Sequence, residues 1–219
     1  MDTQSRITEF WNAAAANYDE RPSHSFQTEE QEAAWKAVLK TLLPLPPAHI
    51  MDVGTGTGVI AVALAELGYK VLGIDTAEAM LARGRSKVGE HDLRFALGDA
   101  MNPPGSPQTF DVIISRHVLW TLTNPRQAFG SWLRLLKPGG RIVAIDGLYG
   151  ERPDRRLGDL VAALPLLDVT VTLDDIRNLV EAAGFADVQL SSLSQVDAIE
   201  SRLMGREITP RYALTATRV

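Results

Sequence analysis

Cysteine is absent from all 219 residues. That removes disulfides, thiolate metal sites and any covalent cysteine mechanism, and no metal is expected. Long apolar runs are missing as well. The longest, Val59 to Ala65, is far short of the roughly 20 residues that span a bilayer, and Met1 to Phe10 has no apolar signal core. No membrane association is expected, and a cytoplasmic location is. No stretch is rich in Lys or Arg, and 22 Lys+Arg against 27 Asp+Glu give a formal net charge of −5. Because phosphate neutralisation supplies most nucleic-acid affinity, no nucleic-acid partner is expected; the partner is read as a small-molecule substrate. Repeats and low-complexity segments are also lacking, and a 45% hydrophobic content is ordinary for a chain with one sizeable core. A single domain, 1–219, follows; the oligomeric state is not legible.

What is present centres on Asp52-Val53-Gly54-Thr55-Gly56-Thr57-Gly58, with apolar Ile50 and Met51 before it and a helix-like apolar run after it. This reads as strand, glycine loop, helix. Alternate glycines let the backbone turn with positive φ and leave no Cβ between chain and ligand, while the new helix presents unpaired N–H groups. A nucleotide-like ligand is expected there. A dinucleotide fingerprint needs Gly-x-Gly-x-x-Gly/Ala, but here its third site is Val59 and Gly58 comes one residue early. That spacing tells against NAD and FAD.

Along the chain, residues 1–27 read as a short helix and a loop. Thr28 with Gln31 predicts a capping box opening a helix with an Ala34, Trp35, Val38, Leu39, Leu42 stripe, stopped by Pro44-Leu45-Pro46-Pro47. Then elements alternate: strand 49–53, helix 58–67, strand 70–74, helix 77–87, strand 93–97, strand 110–115, helix 125–136, strand 141–146. Residues 147–170 look like an insertion. Thr172 with Asp175 predicts a second capping box and a helix to Gly184, followed by strands 187–192 and 212–218. Alternation of this kind means an α/β fold, a parallel sheet with helices on both faces. Four segments result: an N-terminal helical lid 1–45, a cofactor-binding half 46–146, an insertion 147–171 and the C-terminal half of the sheet, 172–219.

Beyond the loop, Asp75 ends the second strand, Gly98-Asp99-Ala100 follows the third, Phe110-Asp111-Val112-Ile113-Ile114-Ser115 forms the fourth, and Leu136-Lys137-Pro138-Gly139-Gly140-Arg141-Ile142-Val143 precedes the fifth. Together with Asp52 to Gly58, these blocks resemble, in order, the motifs of class I S-adenosylmethionine-dependent methyltransferases. The chain is similar to small-molecule enzymes of the ubiquinone/menaquinone-biosynthesis-like type, and Phe10-Trp11 through Tyr18-Asp19 resembles their cofactor-covering segment. The resemblance implies a Rossmann-like seven-stranded sheet with its last strand antiparallel, S-adenosylmethionine as cofactor and S-adenosylhomocysteine as product. By the same resemblance Asp52, Gly54, Thr55, Gly56 and Gly58 form the motif around the methionine portion, Asp75 holds the ribose, Thr76 and Met80 flank the base, Asp99 and Ala100 read adenine, and Tyr18 covers the cofactor. Asn102-Pro103-Pro104 imitates the signature of amino-directed nucleic-acid and glutamine methyltransferases, but that signature follows strand four, where this chain has Ser115-Arg116-His117-Val118. Lacking cysteine, the chain is also unsuited to methylating carbon 5 of cytosine. Two other functions are weighed: an NAD-dependent oxidoreductase, opposed by the glycine spacing and Asp99, and a catalytically silent cofactor-binding partner, opposed by the intact loop with Asp75 and Asp99.

Methyl transfer from a sulfonium is an in-line displacement that needs positioning and, for a protonated acceptor, a base. His117 lies just past a parallel strand, where open α/β sheets bind ligands, and is the first candidate; His24, on the lid, is the second. His117 is expected to titrate near pH 6 to 7. Ser115 and Arg116 are cofactor candidates at the same strand end, Arg116 by pairing with a carboxylate. Trp11, Trp120 and Tyr149 are candidates for the substrate pocket, while His49, His91 and Trp132 are read as structural or solvent-facing.

Overall fold

A computed structural model describes residues 2–150 and 155–219. Met1 and, within the expected insertion, Glu151 to Asp154 lie outside the described residues. Seven strands make one sheet in the order β3-β2-β1-β4-β5-β7-β6, with β1 (His49–Val53), β2 (Lys70–Asp75), β3 (Leu93–Leu97), β4 (Phe110–Arg116), β5 (Leu136–Gly147), β6 (Phe185–Ser192) and β7 (Arg211–Arg218). β1 through β5 pair in parallel, while β7 runs antiparallel to both β5 and β6. The fold is the seven-stranded Rossmann-like sheet that the motifs implied.

The period-two alternation of the strands divides two cores. Ile50, Val112, Ile114 and Val143 face one side, where α2 (Glu29–Leu42), α3 (Val59–Glu66) and α7 (Ser194–Met204) bury Trp35, Leu39, Leu64 and Val196. Met51, Ile113, Ile142 and Ala144 face the other, against Phe129 and Trp132 of α5 (Pro125–Leu135) and Ile176 and Val180 of α6 (Leu173–Ala182). α1 (Thr3–Ala14) packs on α4 (Glu78–Arg85). A 3₁₀ stretch, Ala15–Glu20, carries the chain on from α1.

Several boundaries move, for physical reasons. β5 starts at Leu136 rather than 141, because Leu136 pairs with Phe110 before a bulge delays the regular ladder to Val112↔Arg141. At α2 the Thr28 hydroxyl does accept the Gln31 N–H, but Gln31 turns its own side chain away: it accepts from the Gln27 N–H and donates to Glu200. The expected capping box is thus only half made there, whereas at α6 Thr172 and Asp175 complete both halves. Helix α7 was not anticipated at all.

Strand order reverses between β1 and β4, so the loops leaving their carboxyl ends diverge and open a crevice, the position at which doubly wound sheets bind ligands. Val53 pairs with Ser115. Gly54 and Arg116 therefore leave adjacent strands side by side.

Candidate active site

The glycine loop is shaped from behind by its own polar residues. Thr55 donates its hydroxyl to Asp52 Oδ2 at 2.6 Å and its N–H to the Ile74 carbonyl at 2.9 Å. Burial pushes the Asp52 carboxyl up to about 7 against the opposing Thr55 hydrogen bond. Gly54 and Gly56 have φ of +64° and +56°, and a Cβ on Gly54 would collide with Val118 Cγ2. Across the loop, Asp75 Oδ2 accepts the Gly56 N–H and Oδ1 the Ala77 N–H, each at 2.9 Å. Each oxygen keeps a lone pair for a further donor.

A narrow cleft of about 70 Å³ runs along these residues, lined by Gly54, Gly56, Asp75, Thr76, Met80, Asp99, Ala100, Arg116 and His117, with Ile7, Trp11 and Tyr18 of the N-terminal segment across it. Its far wall is braced by α5: Trp132 Nε1 donates to the Ala100 carbonyl at 2.8 Å and Ser131 to that of Met101. Four expected cofactor residues, however, do not line it. Asp52, Thr55 and Ser115 are buried behind the wall, and Gly58 starts α3 with Phe95 where a Cβ would stand. They support the wall rather than face the cleft: Asp52 and Thr55 are bonded to each other, and the Ser115 hydroxyl is buried with no hydrogen-bond partner among the described residues.

Beside the cleft lies a larger cavity of about 640 Å³, and Trp11, Tyr18 and His117 line both. Trp120 brings the pocket residues together, its ring 5.9 Å from Trp11 and 6.0 Å from Tyr149. The Tyr149 hydroxyl stands 2.7 Å from His117 Nδ1, and His117 Nε2 is buried without a hydrogen-bond partner. Burial, then the Arg116 cation, lowers the His117 pKa well below the ordinary imidazole value. The expected titration near pH 6 to 7 is therefore corrected: an imidazole withdrawn from water beside a guanidinium stays neutral. His24 stacks on Tyr18 at 4.1 Å, with Nδ1 3.1 Å from the Tyr18 carbonyl, and burial lowers its pKa to about 4. Arg116 donates to the Ser23 carbonyl and lies 5.1 Å over the Trp35 ring. It thus ties the cleft to the loop around Ser23 while still lining the cleft. His49 packs on Phe110, away from both cavities.

Contributions that the sequence reading missed come from distant segments. Asn12 accepts the Ala79 N–H at the start of α4, and Asp19 pairs with Lys87 at 2.7 Å and accepts the Thr57 hydroxyl. Met204, Arg206, Ile208 and Arg211, at and beyond the end of α7, close the larger cavity.

Residues 51–144 match the family described as methyltransferase domain. The match identifies these residues as a methyltransferase domain. The chain is 29% identical to a demethylmenaquinone methyltransferase of Clavibacter sepedonicus over 63% of its own length and 56% of that protein's, so it spans little more than half of that relative. A ubiquinone/menaquinone biosynthesis C-methyltransferase of Ruegeria sp. is 27% identical, with 86% of each chain covered. Among solved structures, a methyltransferase of Thermotoga maritima described as a possible histamine N-methyltransferase superposes with a TM-score of 0.70 at 18% identity, over 96% of this chain and 99% of that one. The family match runs from β1 into β5. The N-terminal helices and the cavity-lining residues Tyr149, Leu167, Met204, Arg206, Ile208 and Arg211 fall outside it.

Proposed function

We propose that this chain transfers a methyl group from S-adenosylmethionine to a small organic acceptor, in the cytoplasm, with residues 1–45 as a lid. The observation that carries the reading is the meeting of the narrow cleft and the larger cavity at His117, Tyr18 and Trp11. Asp75 fits a ribose diol, because each carboxylate oxygen keeps a free lone pair and Gly56 places no Cβ between loop and ligand. Asp99 and Ala100 fit the adenine edge, Thr76 and Met80 its faces, and Arg116 a carboxylate. When bound, the cofactor supplies an electrophilic methyl on a sulfonium sulfur.

The chain's own residues supply position and proton transfer. Trp11 and Trp120 confine the acceptor beside His117, and Tyr18 separates the two cavities from water. For a hydroxyl acceptor, His117 Nε2 takes the departing proton while Nδ1–H donates to the Tyr149 oxygen. No helix among the described residues is long and apolar enough to cross a membrane. The test is calorimetry with S-adenosylmethionine, S-adenosylhomocysteine, NAD and NADP, followed by a screen of small acceptors read out by homocysteine release. Binding of the two sulfur compounds alone, with turnover of a small acceptor, supports the reading. Binding of a nicotinamide alone, or preferred turnover of tRNA or a protein, overturns it.

A further inference from the structure

Resting on that reading, we infer that the acceptor is a phenolic ring carrying a second oxygen group, a carboxylate or a carbonyl, and not an alkylamine. The larger cavity is walled by Trp11, Trp120 and Tyr149, whose rings meet at steep angles, 69° and 74° about Trp120. Such a wall offers both ring faces and ring edges to a planar guest. Three lining residues also hold a buried nitrogen with no hydrogen-bond partner among the described residues: Trp120 Nε1, His117 Nε2 and Arg211 Nη1. Indole and guanidinium nitrogens only donate, and a buried donor left unmatched is costly unless a ligand brings an acceptor.

The acids behind that wall are already engaged. Arg211, its side chain 2% exposed, is clamped by Asp197 on Nε at 2.7 Å and by Glu200 at 3.0 Å from Nη2. Glu200 also accepts from Trp35 Nε1 and Gln31 Nε2. Glu20 and Glu207 line the cavity only at its solvent-exposed rim. An ammonium group would therefore meet a buried guanidinium that already holds Glu200 Oε2, a carboxylate oxygen buried without a hydrogen bond, in an ion pair, while an oxygen acceptor meets donors. This donor-rich, aromatic wall decides between acceptor chemistries that the sequence left open.

The test is binding to the complex with S-adenosylhomocysteine, using three probes that share a hydroxyphenyl ring: 4-hydroxybenzoate, 4-hydroxyacetophenone and tyramine. The expected result is affinity for one or both oxygenated probes at least ~10-fold above that for tyramine, as expected from one or two matched donors. The stronger of the two identifies carboxylate or carbonyl. Trp120→Phe and Arg211→Lys, which keep the ring and the charge, should each weaken the oxygenated probe by ~5-fold or more. Affinity for S-adenosylhomocysteine in the same variants reports whether the fold survives. Equal or tighter binding of tyramine, no binding of either oxygenated probe, or undiminished binding in both variants overturns the inference. Loss of S-adenosylhomocysteine binding in the unaltered protein would overturn the methyltransferase reading instead.

Discussion

His117 holds a φ of 61° although it has a side chain. A backbone in that region costs on the order of 1–3 kcal/mol, and surrounding structure must hold it there. Here the His117 N–H is bonded to the Ile145 carbonyl at 2.9 Å and its ring to Tyr149. The result presents the imidazole to both cavities. His117→Gln should keep cofactor affinity and lower turnover of a hydroxyl acceptor by about 100-fold, the scale of one general base. Since burial keeps His117 neutral, wild-type kcat should be flat between pH 6 and 8. A rise through a single ionisation near 6.5 would show that the ring is hydrated during turnover. His24 gives a stability signature instead. Its folded pKa, about 4, lies below the unfolded value of about 6.5. The neutral form is favoured in the fold, so its contribution is complete above pH 6.5 and is lost as pH falls toward 4. Denaturant titrations should show His24→Gln losing less stability than wild type across that window, by on the order of 2–3 kcal/mol at pH 4.

Between residues and the whole lie the loop and the lid. All three glycines of the loop have positive φ, but Gly54 and Gly58 are closed in, by Val118 and Phe95, whereas at Gly56 the nearest atom is Tyr18 Cε1 at 3.8 Å. Gly56→Ala should cost about 1–2 kcal/mol of backbone strain, and Gly54→Ala clearly more. Combining Gly54→Ala with Val118→Ala should recover part of the difference, measurable by thermal unfolding. The N-terminal segment, proposed as a lid, is fastened through polar groups. Asp19 sits with Lys87 and Thr57, and although burial alone would raise its pKa, those partners hold it below the usual carboxylate value. Asp19→Asn should raise amide exchange in residues 3–20 roughly tenfold, from the loss of about 1–2 kcal/mol of charge-assisted bonding. S-adenosylhomocysteine should also dissociate faster. Unchanged exchange would mean that Asn12 and the aromatic contacts suffice to hold the lid.

For the molecule entire, ligand and fold are coupled by mass action. S-adenosylhomocysteine at 100 times its Kd should add about 2.7 kcal/mol and raise Tm by about 5–10 °C, while NAD at equal concentration should leave it unchanged. A fold of this kind was largely legible in the chain. Alternating apolar strands, the Asp52 to Gly58 loop and the acids at Asp75 and Asp99 are local patterns, because strand period, turn chemistry and helix starts depend on residues a few positions apart. Helix α7 has a local signature too, in Val196, Ile199 and Leu203 with Gly205 after them. Other features have no local signature. That Asp52, Thr55 and Ser115 turn away from the cleft, that Arg211 meets Trp120 in one cavity, and that His117 is desolvated enough to stay neutral depend on contacts between segments tens to well over a hundred residues apart. Burial and electrostatic environment are properties of that assembly, which β7 creates by inserting antiparallel between β5 and β6. Residue type and spacing therefore announced the family and its motifs, while the protonation state and the partners of each side chain followed from packing.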